Sequence, residues 1–243
     1  MEERLDKVIM SRNLVSSRVR AEEIIKKHGV MVNGKLFNKP GKKVPTDATI
    51  ELLSEEIPYV SRGALKLKHA IEQFSVSING KIALDIGAST GGFSQILIEN
   101  GANKIFAVDV GSGQLHPSIE ENKAVVNLEK THVRELTSKL ISDTCQILVI
   151  DVSFISLEKI FPFVHSFMEK EADALVLVKP QFEVGKENIG KGGIVKNKKL
   201  YDEVLEKIKG VAMVNNFQYL KHIESPILGG DGNREFLMHL KKL

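Results

Sequence analysis

The chain has 243 residues, 42% of them hydrophobic, and a formal net charge of +3 at pH 7; that length suits one large domain, or a large domain with a small appendage. The longest apolar runs, such as ALVLV at 174–178, are far too short to span a bilayer, and MEERLDKVIMSRN has no apolar secretion segment, so the cytoplasm is the expected compartment. One cysteine, Cys145, excludes an internal disulfide framework and a Cys-based zinc site, and no metal site is expected.

In chain order, RLDKVIMSRN places apolar residues at 5, 8 and 9 and reads as a short helix. Ser16-Ser17 then supplies an N-cap for RVRAEEIIKKHG, which stops at Gly29. VMVNGKLF reads as two short strands around Asn33-Gly34, the strongest short-range hairpin signal. TIELL is a further strand, followed by acids and Pro58, so the domain boundary is expected near 54–60. Within residues 4–43 eleven Lys and Arg face three acids, Asp6, Glu22 and Glu23. Such an excess is the electrostatic footprint of a polyanion binder, with a merely solvated basic face as the alternative.

This first block, through RLDKVI, SSRVRAEEIIKKHGVMVNGK and KPGKKV, resembles the S4-type RNA-binding domain. The resemblance implies a small α+β domain over residues 1–57 that binds structured RNA by charge and shape. It makes Arg4, Arg18, Arg20, Lys26, Lys27 and Lys35 the expected phosphate contacts.

From residue 81 short apolar runs alternate with helical stretches. KIALDIGA, KIFAVDVG, AVVNLE, CQILVIDV and ADALVLVKP read as strands buried on both faces. GGFSQILIENG, SLEKIFPFVHSFMEK and KLYDEVLEKIKGVAMV read as helices, and FQYLKHIE and REFLMHLKKL close the chain as strands. The pattern predicts an open α/β sheet, mostly parallel with an antiparallel last strand, with helices on both faces.

In such a sheet ligands bind outside the carboxyl ends of the strands. Four of the five parallel strands end there in a charge: Asp85, Asp109, Asp151 and Lys179. LDIGASTGGF, at 84–93, nearly matches the dinucleotide fingerprint, but Ser89 replaces the glycine that lets the backbone approach a pyrophosphate. A turn with Asp85 before it and Asp109 on the next strand suits a phosphate-free, cationic adenosine, S-adenosylmethionine. Asp109 is then placed to accept from ribose hydroxyls. A hydroxyl acceptor needs a base, and Lys179, emerging from ALVLV, is the candidate with Asp151 to orient it. The competing reading of Lys179 is an ordinary strand-end lysine.

The second domain resembles the FtsJ/RrmJ-type 2′-O-ribose methyltransferases, and the whole chain resembles the TlyA (haemolysin A) family. The stretches that carry this are SRGALKL, LDIGASTGGF, AVDVGSGQL, DVSFISL, VKPQFEVGK and GNREFL. The resemblance implies a Rossmann-like class I methyltransferase domain over 58–243 that takes S-adenosylmethionine. It also implies a Lys-Asp-Lys-Glu tetrad, which falls on Lys66, Asp151, Lys179 and Glu235. Lys179 is then the proton acceptor, Lys66 lowers its pKa, and the two acids hold the pair. The implied cofactor residues are Asp85, Gly87, Ser89, Gly91, Gly92, Phe93 and Asp109, with Gln114 and His132. The implied reaction is methylation of a cytidine 2′-hydroxyl in ribosomal RNA. The chain begins almost at RLDKVI and ends soon after REFLMHL, which favours the shorter type acting on 23S rRNA over one that also acts on 16S. No membrane contact and no obligate protein partner are expected. Three rivals stand beside this reading: a haemolysin acting on membranes, a non-catalytic rRNA-binding assembly factor, and an NAD(P) oxidoreductase.

Overall fold

Asn33 and Gly34 both take positive φ, 48° and 75°, as a type I′ turn demands. The computed structural model describes residues 1–15, 17–53 and 58–243. Ser16 and the expected boundary stretch at 54–57 lie outside the described residues. The chain divides into two compact units, Met1–Pro58 and Tyr59–Leu243.

In the first unit, β1 (Glu2–Arg4) leads into α1 (Leu5–Ser11) and α2 (Arg18–Lys27). Ser17 caps α2 by accepting the Arg20 amide at 3.3 Å, and Gly29, at φ 75°, ends it. The Asn33-Gly34 turn joins β2 (Val30–Val32) to β3 (Lys35–Phe37). After β4 (Lys43–Pro45), β5 (Ile50–Leu52) pairs with the other edge of β2. Leu5, Ile9, Ile25 and Val30 form the buried centre of this unit. The antiparallel β1–β4 ribbon has no sequence signature, because its strands are three residues long and pair across some forty positions.

The second unit opens with α3 (Gly63–Phe74), then alternates β6 (Ile82–Ile86), α4 (Gly92–Glu99), β7 (Lys104–Val108), α5 (Pro117–Glu120) and β8 (Val125–Leu128). β9 (Cys145–Ile150), α6 (Phe161–Val164), β10 (Met168–Val178), α7 (Lys199–Val214), β11 (Phe217–Glu224) and β12 (Phe236–Lys242) complete it. The seven-stranded sheet runs β11-β12-β10-β9-β6-β7-β8. β12 is antiparallel to both neighbours, while β10, β9, β6, β7 and β8 are mutually parallel. The order reverses between β6 and β9, which opens a crevice at their carboxyl ends.

Alternation along the central strands feeds two cores. Leu148 and Ile150 of β9 face the layer of α6 and α7, and Ile147 and Val149 face α3 and α4. Each such fully buried aliphatic side chain contributes about 1.5–3 kcal/mol.

One expected helix is mostly absent. Of SLEKIFPFVHSFMEK, only Phe161–Val164 is α-helical, 3₁₀ turns flank it, and Met168 already belongs to β10. Pro162 supplies no backbone donor, so helix can start there but not run through it. Glu171, at φ 64°, absorbs the register shift that lets β10 begin early.

Candidate active site

The loop after β6 is built by glycines with separate tasks. Gly87 has φ 88°, and a Cβ there would meet the Asp151 carbonyl oxygen at 2.3 Å. The bare backbone lets the β6 and β9 ends approach, where the Asp151 amide donates to the Ile86 carbonyl at 2.9 Å. Gly92 faces Ser61 and the Ala64 amide, so α4 starts flush against the start of α3. Ser89 itself sits at φ 48°, an uncommon backbone for serine.

Two adjoining clefts, of about 200 and about 360 Å³, share Gly87, Ser89, Asp151 and Ser153. The first holds Lys66, Lys179, Gly92 and Phe93. The second holds Asp109, Gln114 and His132 against apolar walls that include Val108, Val133 and Ile155. The larger volume falls within the ~300–1,000 Å³ usual for small-molecule sites.

Two ion pairs meet at the first cleft. Lys66 Nζ donates to Glu235 Oε2 at 2.6 Å, with both side chains buried. Lys179 Nζ lies 2.6 Å from Asp151 Oδ1 and donates to Ser153 Oγ at 2.9 Å. Glu235 does not line the cleft; it stands behind Lys66 and is reached because β12 runs antiparallel, so its start lies at the carboxyl edge of the parallel strands.

Asp85 is fully buried and lines neither cleft. Burial pushes its carboxyl up to about 7; the Ser94 hydroxyl, donating to Oδ2 at 2.7 Å, opposes this, and the charges of Asp151 and Asp109 add to the rise. Its other oxygen has no hydrogen-bond partner among the described residues. Three acids at the ends of three adjacent strands, with one orphaned oxygen, fit a ligand that brings positive charge. Asp109 accepts the amides of Ser89 at 2.9 Å and Gly111 at 2.7 Å. Its carboxylate therefore braces the glycine loop as well as facing the second cleft.

Other expected residues have structural duties. Gly91 lines neither cleft and packs on Leu115 and Ile119. His132 lines the second cleft but also caps a 3₁₀ turn, accepting the Arg134 amide at 3.1 Å, while its own amide donates to Glu135 at 2.8 Å.

Sequence reasoning missed Glu129, Ser61, Ser153 and Glu183. Glu129, directly after β8, is a fifth strand-end charge. It accepts the amides of Gly113, Gln114 and Leu115 at 2.8, 2.6 and 3.1 Å, and these bonds hold its carboxyl below the usual range. Buried Glu183 accepts the Ser156 hydroxyl at 2.6 Å and the Leu157 amide at 2.8 Å, pinning the loop after β9. Phe154 in that loop is exposed, at φ 63°, with its ring 5.1 Å from that of Phe182. A charge directly after a predicted strand would have flagged Glu129, because that rule had found the other four.

In the first unit, Arg4 and Arg18 converge on buried Asp6 at 2.7 and 3.0 Å. The Arg4 hydrogen bond leads the effects that hold the Asp6 carboxyl down at about 2. Arg20 pairs with Glu23 and Lys26 with Glu22, whereas Lys27 and Lys35 have no ion pair among the described residues. The six expected phosphate contacts thus divide into four engaged and two unengaged cations.

A topological-switch crevice, a glycine turn and paired lysines and acids lie together at the carboxyl edge of the sheet. Residues 59–242 match the model for FtsJ-like methyltransferases, and residues 3–50 match the S4 domain. The 16S/23S rRNA (cytidine-2′-O)-methyltransferase TlyA of Mycobacterium tuberculosis is 37% identical over 98% of this chain and 89% of its own. The 23S rRNA (cytidine-2′-O)-methyltransferase TlyA of Campylobacter jejuni is 36% identical over 96% and 97%. A solved structure from Streptococcus thermophilus, named as a hemolysin, superposes with a TM-score of 0.79 at 37% identity, covering 99% of this chain and 88% of that one. The chain belongs to the TlyA family of FtsJ-like methyltransferases with an N-terminal S4 domain.

Proposed function

We propose that this chain transfers a methyl group from S-adenosylmethionine to the 2′-hydroxyl of a cytidine in ribosomal RNA, with 23S rRNA as the substrate. The observation that carries the reading is the meeting of the Lys66–Glu235 and Lys179–Asp151 pairs at one cleft, beside the glycine turn of a TlyA-family chain.

Bound S-adenosylmethionine supplies the electrophilic methyl group. Asp109, Gln114 and His132 line the cleft that would take its adenosine, and Asp85, buried behind the turn, would be drawn toward its charged form by the cationic end. Gly87, Ser89, Gly92 and Phe93 form the turn beside it. Lys179 Nζ, in its neutral form, takes the proton of the 2′-hydroxyl as the oxygen becomes bonded to carbon. Asp151 then holds the resulting ammonium. Lys66, fixed by Glu235, presents a second positive charge to the cleft as the alkoxide character develops. The first unit supplies the basic surface for the RNA, and Lys27 and Lys35 are two of its cations that have no ion pair among the described residues. Solution in the cytoplasm, where ribosomes are, accords with the reading.

The test is transfer of tritium from labelled S-adenosylmethionine to purified ribosomal subunits and to naked rRNA. Wild type labels large-subunit RNA, and Lys179→Ala retains cofactor binding but not transfer. Equal labelling by Lys179→Ala sinks the mechanism, and no labelling of any rRNA sinks the function. The hemolysin label among relatives raises a membrane-lytic reading, but no helix among the described residues is long and apolar enough to cross a membrane.

A further inference from the structure

Lys179 Nζ has two neighbours of different kinds. Asp151 Oδ1, at 2.6 Å, is buried and forms an ion pair whose angle lies outside good hydrogen-bond geometry, and it has no hydrogen-bond partner among the described residues. Ser153 Oγ, at 2.9 Å, accepts a hydrogen bond from the same nitrogen. Coulomb attraction holds two charges close but is indifferent to orientation, whereas a hydrogen bond weakens steeply as its angle closes. The neutral amine that takes the proton has two N–H donors and one lone pair, against the three donors of the ammonium. With one donor committed to Ser153, rotation about the terminal bond is fixed and the other directions on the nitrogen are set.

Ser153 is itself held at both ends of its loop. The Asp151 amide is bonded to the Ile86 carbonyl at 2.9 Å, two residues before it. Glu183 grips Ser156 and Leu157, three and four residues after it, and Lys207 Nζ lies 3.4 Å from the same Glu183 carboxylate. Ser153 also lines both clefts, at the point where they join. Apart from Asp151, the charged side chain lining the same cleft is Lys66 from α3, already paired with Glu235 of the β12 approach.

We propose that Ser153 is a positioning residue: its hydroxyl aims Lys179 Nζ at the acceptor hydroxyl, while Asp151 supplies charge without direction. This rests on the function proposed above. It assigns the two partners of Lys179 separable tasks, and it makes the loop after β9 part of the proton-transfer geometry.

The experiment compares Ser153→Ala and Ser153→Thr in the full chain. In Ser153→Ala, kcat falls about tenfold, the loss of one hydrogen bond to a charged group. KM for rRNA and Kd for S-adenosylmethionine stay within about twofold, and thermal unfolding is unchanged. Ser153→Thr, which keeps the hydroxyl, restores most of kcat. An activity-independent measurement follows the Nζ order parameter in protein labelled with ¹⁵N-lysine, with the resonance assigned through Lys179→Arg. It drops in Ser153→Ala and recovers in Ser153→Thr. An Nζ order parameter equal in all three proteins overturns the proposal, as does wild-type kcat in Ser153→Ala. If wild type methylates no rRNA at all, the proposed function fails, and the order parameter still decides what Ser153 does to Lys179.

Discussion

Lys66 and Glu235 meet at 2.6 Å although 169 positions separate them along the chain. Neither has a strong sequence signal: Lys66 sits one position off the apolar stripe of α3, and Glu235 just precedes β12. Together they form a buried ion pair whose members depend on one another. Removing one partner leaves a buried charge uncompensated, at a cost of about 3–5 kcal/mol. Glu235→Leu and Lys66→Met are each expected to destabilise the protein by that order. Lys66→Met combined with Glu235→Leu is expected to recover most of the loss while remaining inactive. Urea unfolding of the four proteins measures the coupling, and additive single effects would contradict it.

Asp85 gives a pH dependence of definite sign. Its folded-state pKa is about 7 against the ordinary 3.8, so the folded protein binds the proton more tightly. The stability this provides is full below pH 3.8 and is lost as pH rises toward 7. Asp85→Asn, which keeps a hydrogen-bonding group for Ser94 and has no charge to bury, is expected to unfold at a higher temperature than wild type at pH 8. The difference narrows by pH 5 and closes only toward pH 3.8. Its affinity for S-adenosylmethionine is expected to fall. Thermal unfolding at both pH values and equilibrium cofactor binding check the two statements.

The glycines separate into structural grades. Gly87→Ala places a Cβ 2.3 Å from a backbone oxygen at positive φ. A backbone atom cannot step aside cheaply, so the cost is expected at or above the top of the ~0.5–3 kcal/mol range of ordinary substitutions. Gly192 has φ 80° but open space around it, so Gly192→Ala is expected to cost only about 1–2 kcal/mol. Denaturant unfolding ranks the two, and a reversed order would contradict the packing argument.

The proposed RNA contacts divide along the ion pairs of the first unit. Arg4 and Arg18 are held by Asp6, whereas Lys27 and Lys35 have no such tie among the described residues. Lys27→Ala with Lys35→Ala is expected to weaken binding to rRNA fragments. The slope of log affinity against log salt is expected to fall by about one per lysine. Filter binding across a potassium chloride series gives the slope. Arg18→Ala is expected to lower folding stability as well, through Asp6.

What the sequence disclosed and what it hid follow from the range of the interactions. The Asn33-Gly34 turn, the Ser17 cap and the Gly29 stop are local, and each was readable from its own few residues. The parallel strands were readable because burial on both faces demands continuous apolar runs. Pro162 hid the early start of β10, since an apolar stretch with mixed period suits either helix or strand. Within the site, the charges at strand ends were visible as a pattern in Asp85, Asp109, Asp151 and Lys179. Ser153 and Glu183 were not, because a serine or glutamate acquires its task only from side chains 26 or 27 positions away. The glycine turn was legible as a turn, but the division between Gly87, which admits a neighbouring strand, and Gly92, which admits a neighbouring helix, needed three dimensions.

The reversed direction of β12 has a consequence in time. During vectorial synthesis Lys66 emerges ahead of every strand of its sheet, and Glu235 arrives only with the last of them. Contacts of such long span form late, after loop closure has been achieved elsewhere. The Lys66–Glu235 pair therefore acts as a completion mark: it can close only once the final strand lies between β10 and β11.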